Sequence, residues 1–296
     1  MQSPKTVFFS IIIPVYNSEN TLAENLKYIA DQTFGNYELI FADGGSTDQT
    51  LRIIENFKTA NAHMRTKLVP GPDKGIYDAM NKGLAIAEGE WLYFMGSDDR
   101  FCSPSVLGQI ASEITVQDVD LIYGNVEGAA SKTRYVYDTL SKVLAIGIHH
   151  QSAFYRASLF TEIGKYDMRF KIASDYDFTL KVFLNDRYRT RYIDLDIAYY
   201  GEEGYSSRHF DYKLFSGHYR RLAAAGRMSE VEDPQRCLND CIYYCLHLAL
   251  YKQNVGVAWS NMLYYLVTVR HLKLSYRLRT AFSMLMWTIR PSPKQI

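Results

Sequence analysis

Val7 to Ile13 is an apolar run rich in β-branched and aromatic residues. It has too little polar alternation for a strand with one wet face, so it predicts a strand buried on both faces, as in the interior of a parallel sheet. Pro14 is expected to end it. Ser18 to Gln32 then has helical spacing, with Leu22, Leu26 and Ile29 on one face. Tyr37 to Ala42 reads as a second strand. Thr47 to Phe57 reads as a second helix, capped by Ser46 or Thr47. Lys67 to Val69 reads as a third strand. A helix is predicted from about Gly75 to Ala87, with Ile76, Met80, Leu84 and Ala87 facing inward, and then a strand from Trp91 to Met95. Ser103-Pro104 reads as the cap and first residue of a helix running to about Ile114. This alternation predicts an α/β fold, a sheet covered by helices on both faces. Such sheets bind ligands beyond the carboxyl ends of their strands. Those ends carry Asn17, Asp43, Gly71 to Gly75 and Asp98-Asp99, so polar residues gather on one rim.

After Leu121 the pattern loosens. Short strands are expected around Tyr135 and Tyr155, a helix over Ser174 to Leu184 with Tyr176, Leu180 and Phe183 to one side, and a strand over Tyr192 to Tyr199. Arg208 to about Ala225 reads as a basic helix, residues 237–269 as one or two aromatic-rich helices, and 274–289 as a short amphipathic one.

Composition narrows the class. The chain has 296 residues, 47% apolar and 22% charged, which describes a globular protein with room for one large core and an appendage. A net charge of +1 argues against a general polyanion binder, and no nucleic-acid partner is expected. Yet Arg270 to Lys294 holds six Lys or Arg and no Asp or Glu. Cys102, Cys237, Cys241 and Cys245 complete no recognised metal spacing and read as buried thiols in a reducing compartment. The first apolar run is too short for a signal peptide and no stretch reaches membrane-spanning length, so a cytoplasmic location is expected. The dinucleotide Gly-x-Gly-x-x-Gly fingerprint, the Walker lysine motif and the Gly-x-Ser-x-Gly elbow are all missing.

Several polar groups could carry chemistry. Asp98-Asp99 ends a buried strand, and adjacent carboxylates repel unless a counter-charge joins them. A divalent cation completed by substrate phosphates would serve, and a solvated surface turn is the bland alternative. Asp43 opens Asp43-Gly44-Gly45-Ser46, where glycines permit close approach to a ligand; Asp48 suits a helix N-terminus. Asp73 is either a helix cap or a ligand group, and Lys74 either a phosphate contact or a solvent-facing charge. Asp175, at a helix start, is either a favourable charge or a general base. His149 and His150 are adjacent, so at most one faces a given pocket.

These pieces assemble into a pattern. SIIIPVYN at 10–17, ADGGSTDQT at 42–50, GPDKGIYDAMNKGLAIAEGEWLYFMGSDD at 71–99, HQSAFYRASLF at 150–160 and SDYDFTLK at 174–181 stand in the order of the inverting glycosyltransferases of family 2. The chain resembles that family over about residues 7–200, most closely its bacterial members of capsule, O-antigen and exopolysaccharide assembly. The resemblance implies a GT-A fold, a Rossmann-like, mostly parallel central sheet flanked by helices, with a helical C-terminal extension. It implies a catalytic domain over 1–205, divided into a nucleotide-binding half (1–100) and an acceptor-side half (101–205), and a helical region over 206–296.

By position, Pro14, Tyr16, Asn17 and Asp43 would line the nucleotide pocket, with Asp73 and Lys74 adding contacts. Asp99 would ligate Mn²⁺ or Mg²⁺, with Asp98 near the ribose and diphosphate. Asp175 would be the catalytic base and His150 a second catalytic candidate on the acceptor side. Two departures stand out: Ser174 replaces the usual Glu before Asp175, and Gly96-Ser97 precede the aspartate pair where many members carry another Asp. Asp177 is a reserve candidate for the base. The implied reaction is a metal-assisted single displacement from a UDP-sugar, or less commonly a GDP-sugar, onto a hydroxyl of a lipid-linked or growing glycan.

Beyond residue 200 the resemblance fades. The aromatic helices could pack on the catalytic domain, lie in a membrane interface, or form a homo-oligomer contact. HLKLSYRLRTAFSMLMWTIRPSPK has the composition of an interfacial helix on anionic lipid, which would place the enzyme at the inner face of the plasma membrane. The rival readings are a non-catalytic nucleotide-sugar-binding protein and a sugar nucleotidyltransferase. The latter usually has a Gly- and Arg-rich loop where Pro14-Val15-Tyr16-Asn17 stands. A processive synthase would need membrane spans and a Gln-x-x-Arg-Trp motif, which the chain lacks.

Overall fold

The computed structural model describes residues 6–202, 211, 221–233, 256, 259, 262–263 and 273–289. Cys237, Cys241 and Cys245, the aromatic residues expected over 237–269 apart from isolated positions, and most of the basic helix expected from Arg208 lie outside the described residues. The chain forms two compact units: Met1–Asp138 with Ile148–His209, and Thr139–Gly147 with Phe210–Ile296.

The first unit contains strands β1 (Phe9–Val15), β2 (Tyr37–Asp43), β3 (Arg65–Val69), β4 (Trp91–Phe94), β5 (Arg100–Phe101), β6 (Leu121–Gly128), β7 (Arg134–Tyr135), β8 (Ala153–Arg156) and β9 (Thr190–Tyr200). Its helices are α1 (Leu22–Ala30), α2 (Thr50–Ala60), α3 (Ile76–Leu84), α4 (Val106–Val116), α6 (Ser158–Glu162) and α7 (Ser174–Phe183), with a 3-10 turn at His150–Ser152. The second unit contains α5 (Leu140–Ile146) and α8 (Leu274–Ile289) among its described residues.

One sheet runs β3-β2-β1-β4-β8-β6-β9-β5, with β7 on β6. β3, β2, β1 and β4 are parallel, and β8 is antiparallel to both β4 and β6. β6 therefore runs with β4, and β9 is parallel to β6, so most strands share one direction. This is the α/β, Rossmann-like sheet that the alternation predicted. β1, β2 and β4 are buried at every position, as their near-continuous apolar runs require.

Pro14 does not end β1. It pairs in register with Ala42, and the strand continues to Val15. The reason is local. Ile12 accepts from Met95 on the β4 side, and the β4 pairing ends at Ile12 opposite Phe94. Pro14, two residues on, turns its missing donor to that same side, where no partner remains.

Local chemistry also moves helix boundaries. α2 begins at Thr50 rather than Thr47, because Ser46 and Thr47 are tied to the loop after β1 and Asp48 accepts from the Thr50 N–H at 2.9 Å. α4 begins at Val106, and Gln32 Oε1 accepts from the Leu107 N–H at 3.1 Å. Ser174 is the first residue of α7, and its hydroxyl accepts from the Asp167 N–H at 2.6 Å. α3 buries Tyr77, Ala79, Met80 and Gly83, a face rotated from the Ile76, Met80, Leu84 and Ala87 stripe expected. The rotation lets the helix backbone lie against β1: a Cβ on Gly83 would stand 2.6 Å from Ile12 Cγ2. Gly83→Val is expected to destabilise the protein by about 1–3 kcal/mol through overpacking, read as a lower urea midpoint with an unchanged slope.

An aromatic seam holds α7 to the sheet. Phe160 and Phe178 stack with centroids 4.0 Å apart, and Tyr166, Tyr155 and Phe94 close around them. Phe178 is fully buried, worth about 1.5–3 kcal/mol. This packing fixes the first turn of α7, where Asp175 stands.

In the second unit, Thr139 caps α5 by accepting from the Lys142 N–H, and Ser141 accepts from the Glu232 N–H. α8 matches the amphipathic segment expected over 274–289. Leu274, Leu278, Phe282, Leu285 and Met286 are all exposed and recur at helical spacing, while Thr280 is buried. Among the described residues no helix is long and apolar enough to cross a membrane.

Candidate active site

The carboxyl ends of β1, β2 and β4 meet loops that brace one another. Asn17 adopts φ 48°, a left-handed conformation that Asn tolerates. Its N–H donates to Ser46 Oγ at 3.0 Å and its Oδ1 accepts from the Thr47 N–H at 2.9 Å, joining the loop after β1 to the loop after β2. Ser18 Oγ donates to Ser97 Oγ at 2.9 Å, and Asn25 Nδ2 to Ser97 O at 2.7 Å, joining the β1 loop to the aspartate turn.

Asp43 is buried, and its carboxylate accepts from the N–H groups of Gly45 and Ser46. Asp73 Oδ1 accepts from the Gly75 N–H at 2.8 Å, so it organises the entry to α3. The two acidic turns are close neighbours: a Cβ on Gly44 would stand 2.5 Å from Asp73 Oδ2, a gap that only glycine leaves. Tyr16 presents its ring to solvent beside Gly44, 64% exposed, whereas most other aromatics among the described residues are buried. Pro14 is buried in β1. Lys74 is exposed.

The aspartate turn divides labour unequally. Asp99 is buried at 1% exposure. Its Oδ2 accepts from the Gly96 N–H at 2.6 Å and from Gln151 Nε2 at 2.9 Å, and its Oδ1 from the Gly201 N–H at 2.9 Å. It thus pins β4, the turn at His150–Ser152 and the end of β9 together. Asp98 is half-buried with its Oδ2 packed against Gly201. Burial first, and the neighbouring Asp99 charge second, push its carboxyl up to about 6. A divalent cation fits this donor set, since its charge would offset both the burial and the Asp99 repulsion that raise Asp98. Among the described residues no three His, Cys, Asp or Glu side chains converge. A cation here would therefore take carboxylate oxygens from Asp98 and Asp99 and complete its shell with substrate oxygens and water, the habit of Mg²⁺.

Facing that turn is a second cluster. Asp175 Oδ1 accepts from Tyr77 Oη at 2.6 Å, and its Oδ2 lies 2.9 Å from His150 Nδ1. Burial alone would raise Asp175, but the hydrogen bond and charge of His150, with the Tyr77 hydroxyl, hold it below the usual carboxylate range. Burial alone would lower His150, but the Asp175 hydrogen bond and the charges of Asp175, Asp99 and Asp98 outweigh it and raise the imidazole. Burial, and then the Asp175 charge, push the Tyr77 hydroxyl well up, so it remains a donor. His149 turns the other way, against Tyr137, Tyr135 and Tyr200. Burial chiefly lowers it to about 4, so it is a neutral aromatic. Asp177 pairs with Lys181 at 2.8 Å.

Tyr77, Gln151 and Gly201 were not among the expected site residues. Gln151 adjoins the expected His150. Tyr77 and Gly201 reach their carboxylates across 98 and 102 residues, and no local spacing signals either.

Known proteins share this chain's sequence pattern and its fold. The model of "Glycosyl transferase family 2" matches residues 10–183. A PGL/p-HBAD biosynthesis glycosyltransferase of Mycobacterium bovis is 39% identical over 199 residues, covering 66% of this chain and 77% of the relative. Glycosyltransferase GlyG of Streptococcus pneumoniae is 30% identical over 116 residues, covering 39% of this chain and 38% of the relative. The crystal structure of S. aureus TarS 1-349 in complex with UDP-GlcNAc superposes with TM-score 0.65 at 19% identity, covering 97% of this chain and 93% of that one. Mannosyltransferase PcManGT from Pyrobaculum calidifontis, in complex with GDP-Man and Mn²⁺, superposes with TM-score 0.58 at 16% identity, covering 96% and 81%. Those two likenesses show the fold. The family match over more than half the chain shows the rest: this chain belongs to glycosyl transferase family 2 and is an enzyme that transfers a sugar from a nucleotide-sugar donor to an acceptor.

Proposed function

We propose that the donor is a UDP-sugar, bound with Mn²⁺ or Mg²⁺ at the Asp98-Asp99 turn, and that the acceptor is a hydroxyl of a lipid-linked or growing bacterial surface glycan. The observation that carries this reading is the pairing of two acidic centres across one rim: a strained aspartate pair facing a charged Asp175–His150 cluster. A bound divalent cation would offset the charge that develops on the departing diphosphate. Tyr16, Asn17, Asp43 and Asp73 would receive the nucleoside, with Tyr16 offering an exposed ring to a base and Lys74 a charge to the diphosphate. The uridine choice is supported by the TarS complex, and the mannosyltransferase complex keeps guanosine as the competing donor. The Asp175–His150 pair would take the acceptor proton, and a single displacement inverts the anomeric carbon.

Proton removal and leaving-group charge are separate tasks, and the two clusters separate them in space. That favours a transferase over a binding protein, which has no use for a buried acid–imidazole pair. The test is acceptor-dependent release of nucleoside diphosphate with UDP- and GDP-sugars. Release from one donor, with an anomer opposite to that of the donor in the product, supports the reading. Product with retained configuration, or no release from any donor with glycan acceptors present, contradicts it.

The exposed face of α8 supports a peripheral contact with anionic lipid on the cytoplasmic side. Leu274, Leu278, Phe282 and Leu285 share that face, Lys273, Arg277 and Arg279 flank it, and the helix carries no acidic residue. The protein is expected to bind vesicles containing phosphatidylserine and to bind neutral ones far less. Phe282→Glu is expected to weaken sedimentation with anionic vesicles by about tenfold, since it removes an exposed ring that would enter the lipid and adds a repelled charge. Equal sedimentation of the variant would reject the contact. A second copy of the chain on this face would appear instead as a dimer that Phe282→Glu dissociates.

A further inference from the structure

Gly201 follows β9 directly, and its N–H donates to Asp99 Oδ1 at 2.9 Å. Its φ lies outside the left-handed region, so backbone conformation does not call for glycine there. Space does: a Cβ on Gly201 would overlap the Asp98 carboxylate at Oδ2. From the other side, a Cβ on Gly96 would stand 2.9 Å from Asp98 Oδ1 and 2.7 Å from Asp99 Oδ2. The Asp98 carboxylate is therefore seated between two bare stretches of backbone, one oxygen towards each. Gly201 is one of those stretches and also holds Asp99.

The next residue fastens Gly201 in place. Glu202 Oε2 accepts from the N–H groups of Ala130 at 2.8 Å and Ser131 at 2.7 Å, in the turn between β6 and β7. The Ser131 hydroxyl adds a bond. Gly128 makes room for the other oxygen, since a Cβ there would stand 2.7 Å from Glu202 Oε1. The Ala129 N–H donates to Tyr200 O at 3.0 Å. Residues 200–202 are thus bound to the β6–β7 turn on one side and to the aspartate pair on the other.

We propose that Glu202 is a positioning residue for the cation: by clamping the end of β9 to the β6–β7 turn, it keeps Gly201 where the Asp98 and Asp99 carboxylates are held ready for a divalent ion. The inference rests on the cation reading of the aspartate turn. Carboxylates already aimed need no ordering when the ion arrives, so a loosened clamp lowers affinity although no ligand atom is lost. Partners that orient metal-ligating groups are typically worth about 10- to 100-fold in affinity. The coupling is reciprocal: cation binding must tighten the clamp by the factor by which the clamp tightens cation binding.

The test is calorimetric titration of UDP, with Mn²⁺ and then with EDTA, into wild type, Glu202→Ala and Glu202→Gln. Glu202→Ala is expected to weaken UDP binding with Mn²⁺ by about tenfold or more and to leave binding in EDTA within about threefold of wild type. Glu202→Gln is expected to stay within about threefold in both, because its amide oxygen can accept from both N–H groups. A wild type without Mn²⁺ dependence would reject the cation reading and this inference with it. A Mn²⁺-dependent wild type beside an equally dependent Glu202→Ala would overturn the inference alone. A loss in Glu202→Gln as deep as in Glu202→Ala would also overturn it, since the charge of Glu202 rather than its clamp would then matter.

Should Glu202→Ala not fold, hydrogen exchange of the wild type decides. Adding Mn²⁺ to the UDP-bound protein is expected to slow exchange of the Ala130 and Ser131 amides by about tenfold. The Met64 N–H, in the turn before β3 at the opposite end of the sheet, should exchange as before. Unchanged rates at Ala130 and Ser131 would overturn the inference.

Discussion

Asp98→Asn is expected to lower kcat/KM for transfer by about 10³-fold, the scale of several kcal/mol of lost leaving-group stabilisation. The substitution removes a charge that burial first, and the neighbouring Asp99 second, already disfavour by lifting Asp98 to about 6, so it would weaken the proposed cation site while easing the empty protein. Thermal stability should therefore be unchanged or slightly higher. Asp99→Ala makes the contrast. It strands the N–H groups of Gly96 and Gly201 and the amide of Gln151, and is expected to cost at least about 2 kcal/mol of stability in addition to activity. Parallel measurement of transfer rate and melting midpoint checks both. A stable Asp98→Asn protein with activity within tenfold of wild type would remove Asp98 from the cation site.

Asp175→Asn is expected to lower kcat by about 10³–10⁴-fold with donor KM nearly unchanged, since it removes the carboxylate proposed to take the acceptor proton. The amide keeps the volume and still meets Tyr77. It lacks the charge that raises His150 and that would draw the acceptor proton. Steady-state kinetics with saturating donor measure the drop. The residues proposed to contact the nucleotide lie elsewhere, at Tyr16, Asn17, Asp43 and Asp73, so on that proposal UDP affinity should persist. A comparable loss in UDP binding would mean that Asp175 shapes the donor pocket instead.

The sheet was legible because its strands carry their own signature. β1, β2 and β4 are buried on both faces and read as mainly apolar runs, with the buried Ser10 and Glu38 bonding each other. The rim followed from their polarity and direction. β6 was not legible, although it lies in the middle of the second half of the sheet: Gly124 and Asn125 break its apolar run, and a register shift against β9 absorbs them. α3 was legible as a helix but not in its facing. Gly83 carries no hydrophobic signal, yet it sets the close approach to Ile12 and so the rotation that brings Tyr77 to Asp175. Boundaries failed where side chains took the backbone donors for other ends, as Ser46 and Thr47 do with Asn17. Asp99 read as the cation ligand, but the number of donors it accepts depends on Gln151 and Gly201 and could be seen only once β8 and β9 were in place.

The central claim is that this rim binds a nucleotide-sugar through a cation held at the aspartate turn. Calorimetric titration of UDP- and GDP-sugars into the purified, folded protein, with Mn²⁺ and then with EDTA, tests it most directly. The account predicts saturable binding of one donor with Mn²⁺, strongly weakened by EDTA and by Asp98→Asn, and retained in Asp175→Asn. Equal affinity with Mn²⁺ and EDTA, or no binding of any donor, would contradict it.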